Sequence, residues 1–109
     1  MEIEHKKLIR DRIPQIIEES GLQYQTDLLT EEKYRCALFA KLIEEAQEVA
    51  TAPPESLVAE LADLYEVIDT ILEVYQLTEA EVRQQQTQKR NDRGGFKNRI
   101  CLLWTANID

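Results

Sequence analysis

Apolar positions along this chain recur every three or four residues, in bursts separated by polar stretches that carry Pro, Gly and Thr. That period belongs to helices with one buried side. The clearest burst is ESLVAELADLYEVIDTILEVY, residues 55–75. At about 100° per residue, Leu57, Leu61, Leu64, Val67, Ile68, Ile71, Leu72, Val74 and Tyr75 fill one broad arc, with Glu66, Asp69 and Glu73 opposite. A helix before it is predicted from Thr30, an N-cap followed by Glu31 and Glu32, to about Ala50. Its apolar arc holds Leu38, Val49, Leu42, Ala46, Phe39, Ala50 and Ile43. Pro53 and Pro54 break the chain between the two and make a tight joint, so the helices are expected to be antiparallel neighbours.

The rest of the pattern is shorter. Residues 1–12 read as a charged lead-in. Pro14 suits a first helical turn, Ile13, Ile16 and Ile17 give that helix an apolar side, and Ser20-Gly21 ends it. Residues 23–29 are of ambiguous type, an extended segment among the options. Thr78 and Glu81 have capping-box spacing, which starts a fourth, polar helix containing Gln84, Gln85, Gln86 and Gln88 and fraying by Asn91. Gly94-Gly95 is a hinge or turn, and residues 100–104 form either a strand or a tail over the core. The expected fold is all-α: a small antiparallel bundle of about four helices with a short C-terminal extended segment. It is expected to be a single domain over residues 1–109, completed by oligomerisation because so short a chain builds only a modest core.

Composition agrees with helix: 31% of residues are charged, 6% are aromatic, and there are three Gly and three Pro. A net charge of −8 speaks against non-specific nucleic-acid binding. No signal peptide or long apolar run is present, so a cytoplasmic protein with no membrane partner is expected. Cys36 and Cys101 lack any metal-like spacing and are expected to be buried or half-buried thiols. Charge is unevenly spread. Between Lys41 and Arg83 there are eleven acids and no Lys or Arg, whereas Arg83 to Arg99 holds six basic residues and only Asp92. Acids that hold a cation, flanked by bases that hold phosphate oxygens, would give this pattern. Solvated helix faces give it too, and on charge alone that is the simpler reading.

One glutamate changes the balance. Glu60 lies between Val67 and Ile71 on the wheel, inside the apolar arc, with Asp63 at the arc's edge. A buried carboxylate without a partner is costly. The preceding helix repeats the device: Glu45 falls beside Leu38 and Val49, and Glu48 lies about 60° further round. Each helix thus carries two acids three residues apart, neighbours on a helix surface. With about 1.5 Å rise per residue, the joint brings both pairs to similar heights. Four facing carboxylates repel one another unless a cation lies among them, and Mg²⁺ or Mn²⁺ suits an all-oxygen set. Zinc does not fit, because the set has no His or Cys. A di-iron bundle needs Glu-x-x-His on two helices, and the one histidine is His5, read as a surface residue. Glu44, Glu55, Glu66, Asp69 and Glu73 read as ordinary helix edges.

Glu45-Ala-Gln-Glu48, eleven intervening residues and Glu60-Leu-Ala-Asp63 resemble the ExxE…ExxD signature of the all-α nucleoside triphosphate pyrophosphohydrolases. That superfamily includes MazG-like proteins, dimeric dUTPases and phosphoribosyl-ATP pyrophosphohydrolases. LIEEAQEV and AELADLYEVI are similar to its helices. KKLIRDRIPQIIEESG and KRNDRGGFKNRI resemble a small MazG-like subgroup called phosphoribosyl-ATP pyrophosphohydrolase-like, so the likeness covers roughly residues 6–103. It implies that Glu45, Glu48, Glu60 and Asp63 ligate Mg²⁺, with Mn²⁺ an alternative. It implies hydrolysis of a nucleoside triphosphate between the α- and β-phosphates to monophosphate and pyrophosphate. Glu44 is then a further ligand or the general base. Lys7, Arg10, Arg12, Lys89, Arg90 and Arg93 are the candidates for the polyphosphate, with Asn91 a polar addition. A homodimer or homotetramer with substrate near the interface is also implied. The lead-in and tail differ from the histidine-pathway enzymes, which favours a house-cleaning nucleotide pyrophosphatase. Phosphoribosyl-ATP hydrolysis and a non-catalytic regulatory or interaction module are the alternatives.

Overall fold

The computed structural model describes Glu2 and residues 6–108; His5, expected at the surface, lies outside the described residues. Among the described residues the chain is all-helical: α1 (Ile13–Glu19), α2 (Glu31–Thr51), α3 (Leu57–Val74) and α4 (Glu79–Arg93). Two compact units are distinguished, Met1–Gln76 with α1 to α3 and Leu77–Asp109 with α4. None of the helices described is long and apolar enough to cross a membrane.

Helix boundaries follow local chemistry. The Thr30 hydroxyl accepts the Lys33 N–H at 3.3 Å, and the Thr78 hydroxyl accepts that of Glu81 at 3.1 Å. Each satisfies one of the amides a helix start leaves without a partner. α1 has Pro14 in its first turn and gives way at Ser20 to Gly21, whose φ of +83° suits a residue without a Cβ. α3 starts later than its periodicity predicts. Pro54–Ser56 forms a single 3₁₀ turn, and Ser56 makes no side-chain cap, so α-helical geometry begins only at Leu57. α4 does not fray by Asn91. It continues to Arg93, where Arg90 and Arg93 in the last turn suit the negative end of the helix dipole and the Gly94 N–H donates to the Arg90 carbonyl at 2.8 Å.

In the first unit α2 packs on α3. The pair is antiparallel. Arg35 and Phe39, early in α2, meet Tyr75 at the end of α3, whereas Glu45, late in α2, meets Glu60 at α3's start. The core between them is small: Leu38 is 2% exposed and Val67 7%. α2 is turned further toward its acid-bearing rim than its apolar arc suggests. Leu38, Leu42, Glu45 and Val49 face inward, whereas Phe39, Ile43, Ala46 and Ala50 on the arc's far half are exposed.

Three expectations are corrected. Cys36 and Cys101 are free and exposed. Cys36 lies about 200° round α2 from Leu38, on the outer side, and Cys101 sits in an irregular tail. Residues 100–104 make no strand, and Ile100, Leu102, Leu103 and Trp104 are all strongly exposed. The lead-in is more than a charged tail, since Leu8 and Ile9 are half-buried beside α2 and α3.

Candidate metal centre

Glu45, Glu60 and Asp63 each present a carboxylate oxygen, and these three atoms lie within 4.8 Å of one another. Two helices supply them. Glu45 projects from the packed side of α2 and is only 9% exposed. Glu60 occupies the first turn of α3, where a helix start favours negative charge, and Asp63 follows on the same side one turn later. Near the joint α2 ends with no basic residue in its last turn. Its carbonyl end therefore adds to the negative potential rather than relieving it.

Glu60 responds to this setting. Its pKa is raised above the ordinary 4.5, first by desolvation and then by the charges of Glu48, Asp63 and Glu45. The burial order differs from the periodicity reading: Glu45 is the most enclosed of the three, and Glu60 is half-buried. Glu48 is exposed and is not one of the three converging groups, although its charge still reaches Glu60.

Cations already stand among these acids. The Arg10 guanidinium donates to Asp63 Oδ1 at 2.7 Å across 53 residues of sequence. Lys41 Nζ lies 3.5 Å from Glu45 and 3.8 Å from Glu44, and Lys7 Nζ lies 3.8 Å from Glu44. Glu44 is therefore engaged by two lysines and lies outside the converging trio. Lys41 is not among the basic candidates that the sequence suggests. Its position three and four residues before Glu44 and Glu45 was the available signal. A small hollow of about 70 Å³ beside the cluster is lined in part by Leu8, Ile9, Arg10, Lys41, Glu45 and Asp63. Ligand pockets usually exceed about 300 Å³, so this hollow alone does not enclose a nucleotide.

Each remaining candidate belongs to its own unit. Arg12 occupies the position before α1, makes no side-chain cap and is exposed. Lys89, Arg90, Asn91 and Arg93 are exposed on α4, in the second unit. Gly94 spends its amide on closing α4, which makes it a turn residue.

Three carboxylates on rigid helices form a hard, all-oxygen donor set of the kind that suits Mg²⁺ or Mn²⁺ and offers nothing to a thiophilic metal. No family model, curated protein or solved structure matches the chain.

Proposed function

We propose that this protein is a Mg²⁺-dependent nucleoside triphosphate pyrophosphohydrolase of the MazG-like type, cleaving between the α- and β-phosphates. The observation that carries the reading is the convergence of Glu45, Glu60 and Asp63 from two helices, far apart in sequence yet within 4.8 Å at their oxygens. Those three residues would hold the cation, and Glu48, close enough to raise the Glu60 pKa, would join from the exposed rim. When bound, the cation supplies charge neutralisation at the phosphoanhydride and activation of the attacking water.

The chain's own groups do the rest. Glu60 and Asp63 would hold the cation from the first two turns of α3. Arg10 and Lys7, on the segment beside the cluster, are the nearest candidates to meet phosphate oxygens. Glu44, between Lys7 and Lys41, is the candidate to receive the water's proton. Lys89, Arg90 and Arg93 are further candidates for the polyphosphate. A homodimer or homotetramer fits the reading, because Phe39, Ile43, Leu61 and Tyr65 leave α2 and α3 with much uncovered apolar surface. A cytoplasmic location goes with a nucleotide substrate.

One observation favours a second reading. Lys7, Arg10 and Lys41 pair with the acids in cis, so the cluster is also intelligible as the charge network of a non-catalytic helical module. Pyrophosphate release decides between them. Purified protein with Mg²⁺ or Mn²⁺ is given a panel of normal and damaged nucleoside triphosphates and phosphoribosyl-ATP. The enzymatic reading expects metal-dependent pyrophosphate that disappears in Glu60→Gln. Absence of pyrophosphate from the whole panel favours the module, and release from phosphoribosyl-ATP alone identifies the histidine-pathway substrate.

A further inference from the structure

Asp63 is asked to serve two cations. Its Oδ1 accepts from Arg10 at 2.7 Å, and it is one of the three carboxylates that converge. A hard divalent ion binds carboxylate oxygens at roughly 2.0–2.2 Å. A guanidinium kept on the same carboxylate would then lie within roughly 5 Å of a doubly charged ion, a repulsive separation even where water reaches about half of both side chains.

We propose that Arg10 is an internal competitor for the cation: its guanidinium leaves Asp63 when a divalent ion enters between Glu45, Glu60 and Asp63. This rests on the metal-site reading above and adds to it how the site is held and released. The other basic neighbours are poorly placed for exchange. Lys41 shares a helix with Glu45, four residues apart, and its side chain is only 19% exposed. Lys7 faces Glu44, outside the converging trio.

Arg10 has both the freedom and the anchor that exchange requires. Its side chain is 57% exposed, so the guanidinium moves into water at little cost. Its backbone stays in place, because the Arg10 carbonyl accepts the Ile13 N–H at 3.1 Å and the preceding Leu8 and Ile9 are half-buried. A rotamer change is therefore enough, without movement of α1. Once released, the guanidinium stands beside the cation with no carboxylate attached, as a phosphate-bearing ligand requires.

The test is calorimetric titration of the full chain with MnCl₂, comparing wild type, Arg10→Gln, Arg10→Lys and Lys33→Gln. Lys33 is exposed at the start of α2, twelve residues before Glu45 and so about 18 Å away along the helix. It controls for the loss of one positive charge beyond the screening length. Arg10→Gln is expected to bind Mn²⁺ about fivefold tighter than wild type, the fold-change of an exposed ion pair near the upper end of its range. Arg10→Lys is expected to fall between the two, and Lys33→Gln to match wild type. Unchanged or weaker binding in Arg10→Gln overturns the exchange and, if weaker, makes Arg10 a group that orients Asp63 for the ion. If wild type and Arg10→Gln bind equally, the exchange fails and the metal site survives. If neither binds, the metal site falls and the exchange with it.

Discussion

The two ends of the α2–α3 pair are built on opposite principles. Away from the joint, Arg35 stacks over the Tyr75 ring at 4.6 Å and Phe39 meets the same ring at 5.9 Å, while Leu38 and Val67 form the small core that reaches up to the acids. The ring contacts there are attractive, although the Arg35 Nε is buried without a hydrogen-bond partner. At the joint end, Glu45, Glu60 and Asp63 converge, and Glu60 is left with a raised pKa. Arg10 and Lys41 offset the charges of Asp63 and Glu45 there, but Glu60 keeps three acid neighbours, an arrangement that stability alone does not call for. The difference teaches where to look for function: one end holds the pair together, and the other accepts repulsion that an added cation would turn into attraction.

Mutations separate the two ends. The largest effect is expected from Glu60→Gln, which removes a ligand without changing size. Pyrophosphate release should fall roughly a hundredfold or more, since even partners behind metal ligands are worth 10- to 100-fold, while the fold survives in circular dichroism. Leu38→Ala should do the reverse. Deleting a leucine that is 2% exposed costs about 2–4 kcal/mol. In a chain this short the melting midpoint should drop by roughly 10 °C or more, and activity per folded molecule at low temperature should persist. Loss of activity in Leu38→Ala below its transition, or full activity in Glu60→Gln, would erase the distinction between the ends.

Much of the frame was readable from local residues. Thr30, Thr78, Pro14 and Gly21 mark helix ends through bonds and backbone angles reaching three or four residues, so single-sequence reasoning could place them. Glu45, Glu60 and Asp63 were readable from spacing around the Pro53-Pro54 joint, because two helices and a short turn leave little geometric freedom. What escaped depends on longer range. An apolar arc says which side of α2 is greasy, but its rotation against α3 is set by packing, and that rotation exposes Phe39 and Ile43 while burying Glu45. Arg10 pairs with Asp63 across 53 residues, a contact that no periodicity encodes. The exposure of Cys36 follows from the same rotation.

Smaller effects sharpen the comparison. Thr30→Ala removes the α2 cap and should cost about 1 kcal/mol, seen as a modest fall in midpoint with unchanged metal response. Smaller still is a pH effect on the acid end. Because the folded-state pKa of Glu60 is raised above 4.5, the folded state keeps a proton that the unfolded chain has lost. Stability from this group is therefore present at acid pH and falls as pH rises through the raised value. Without divalent metal, Glu60→Gln should lack this loss. Its midpoint relative to wild type should rise as pH climbs from about 4.5 toward neutrality. A constant difference across that range would mean that neither desolvation nor the neighbouring acids raise the pKa of Glu60.

The most direct measurement is the thermal midpoint of wild type and Glu60→Gln with and without millimolar Mn²⁺ or Mg²⁺ at neutral pH. A ligand that binds only the folded state raises its midpoint. The account predicts a clear rise for wild type and little or none for Glu60→Gln. No rise in wild type, or the same rise in both, would contradict the claim that these converging carboxylates hold a divalent cation.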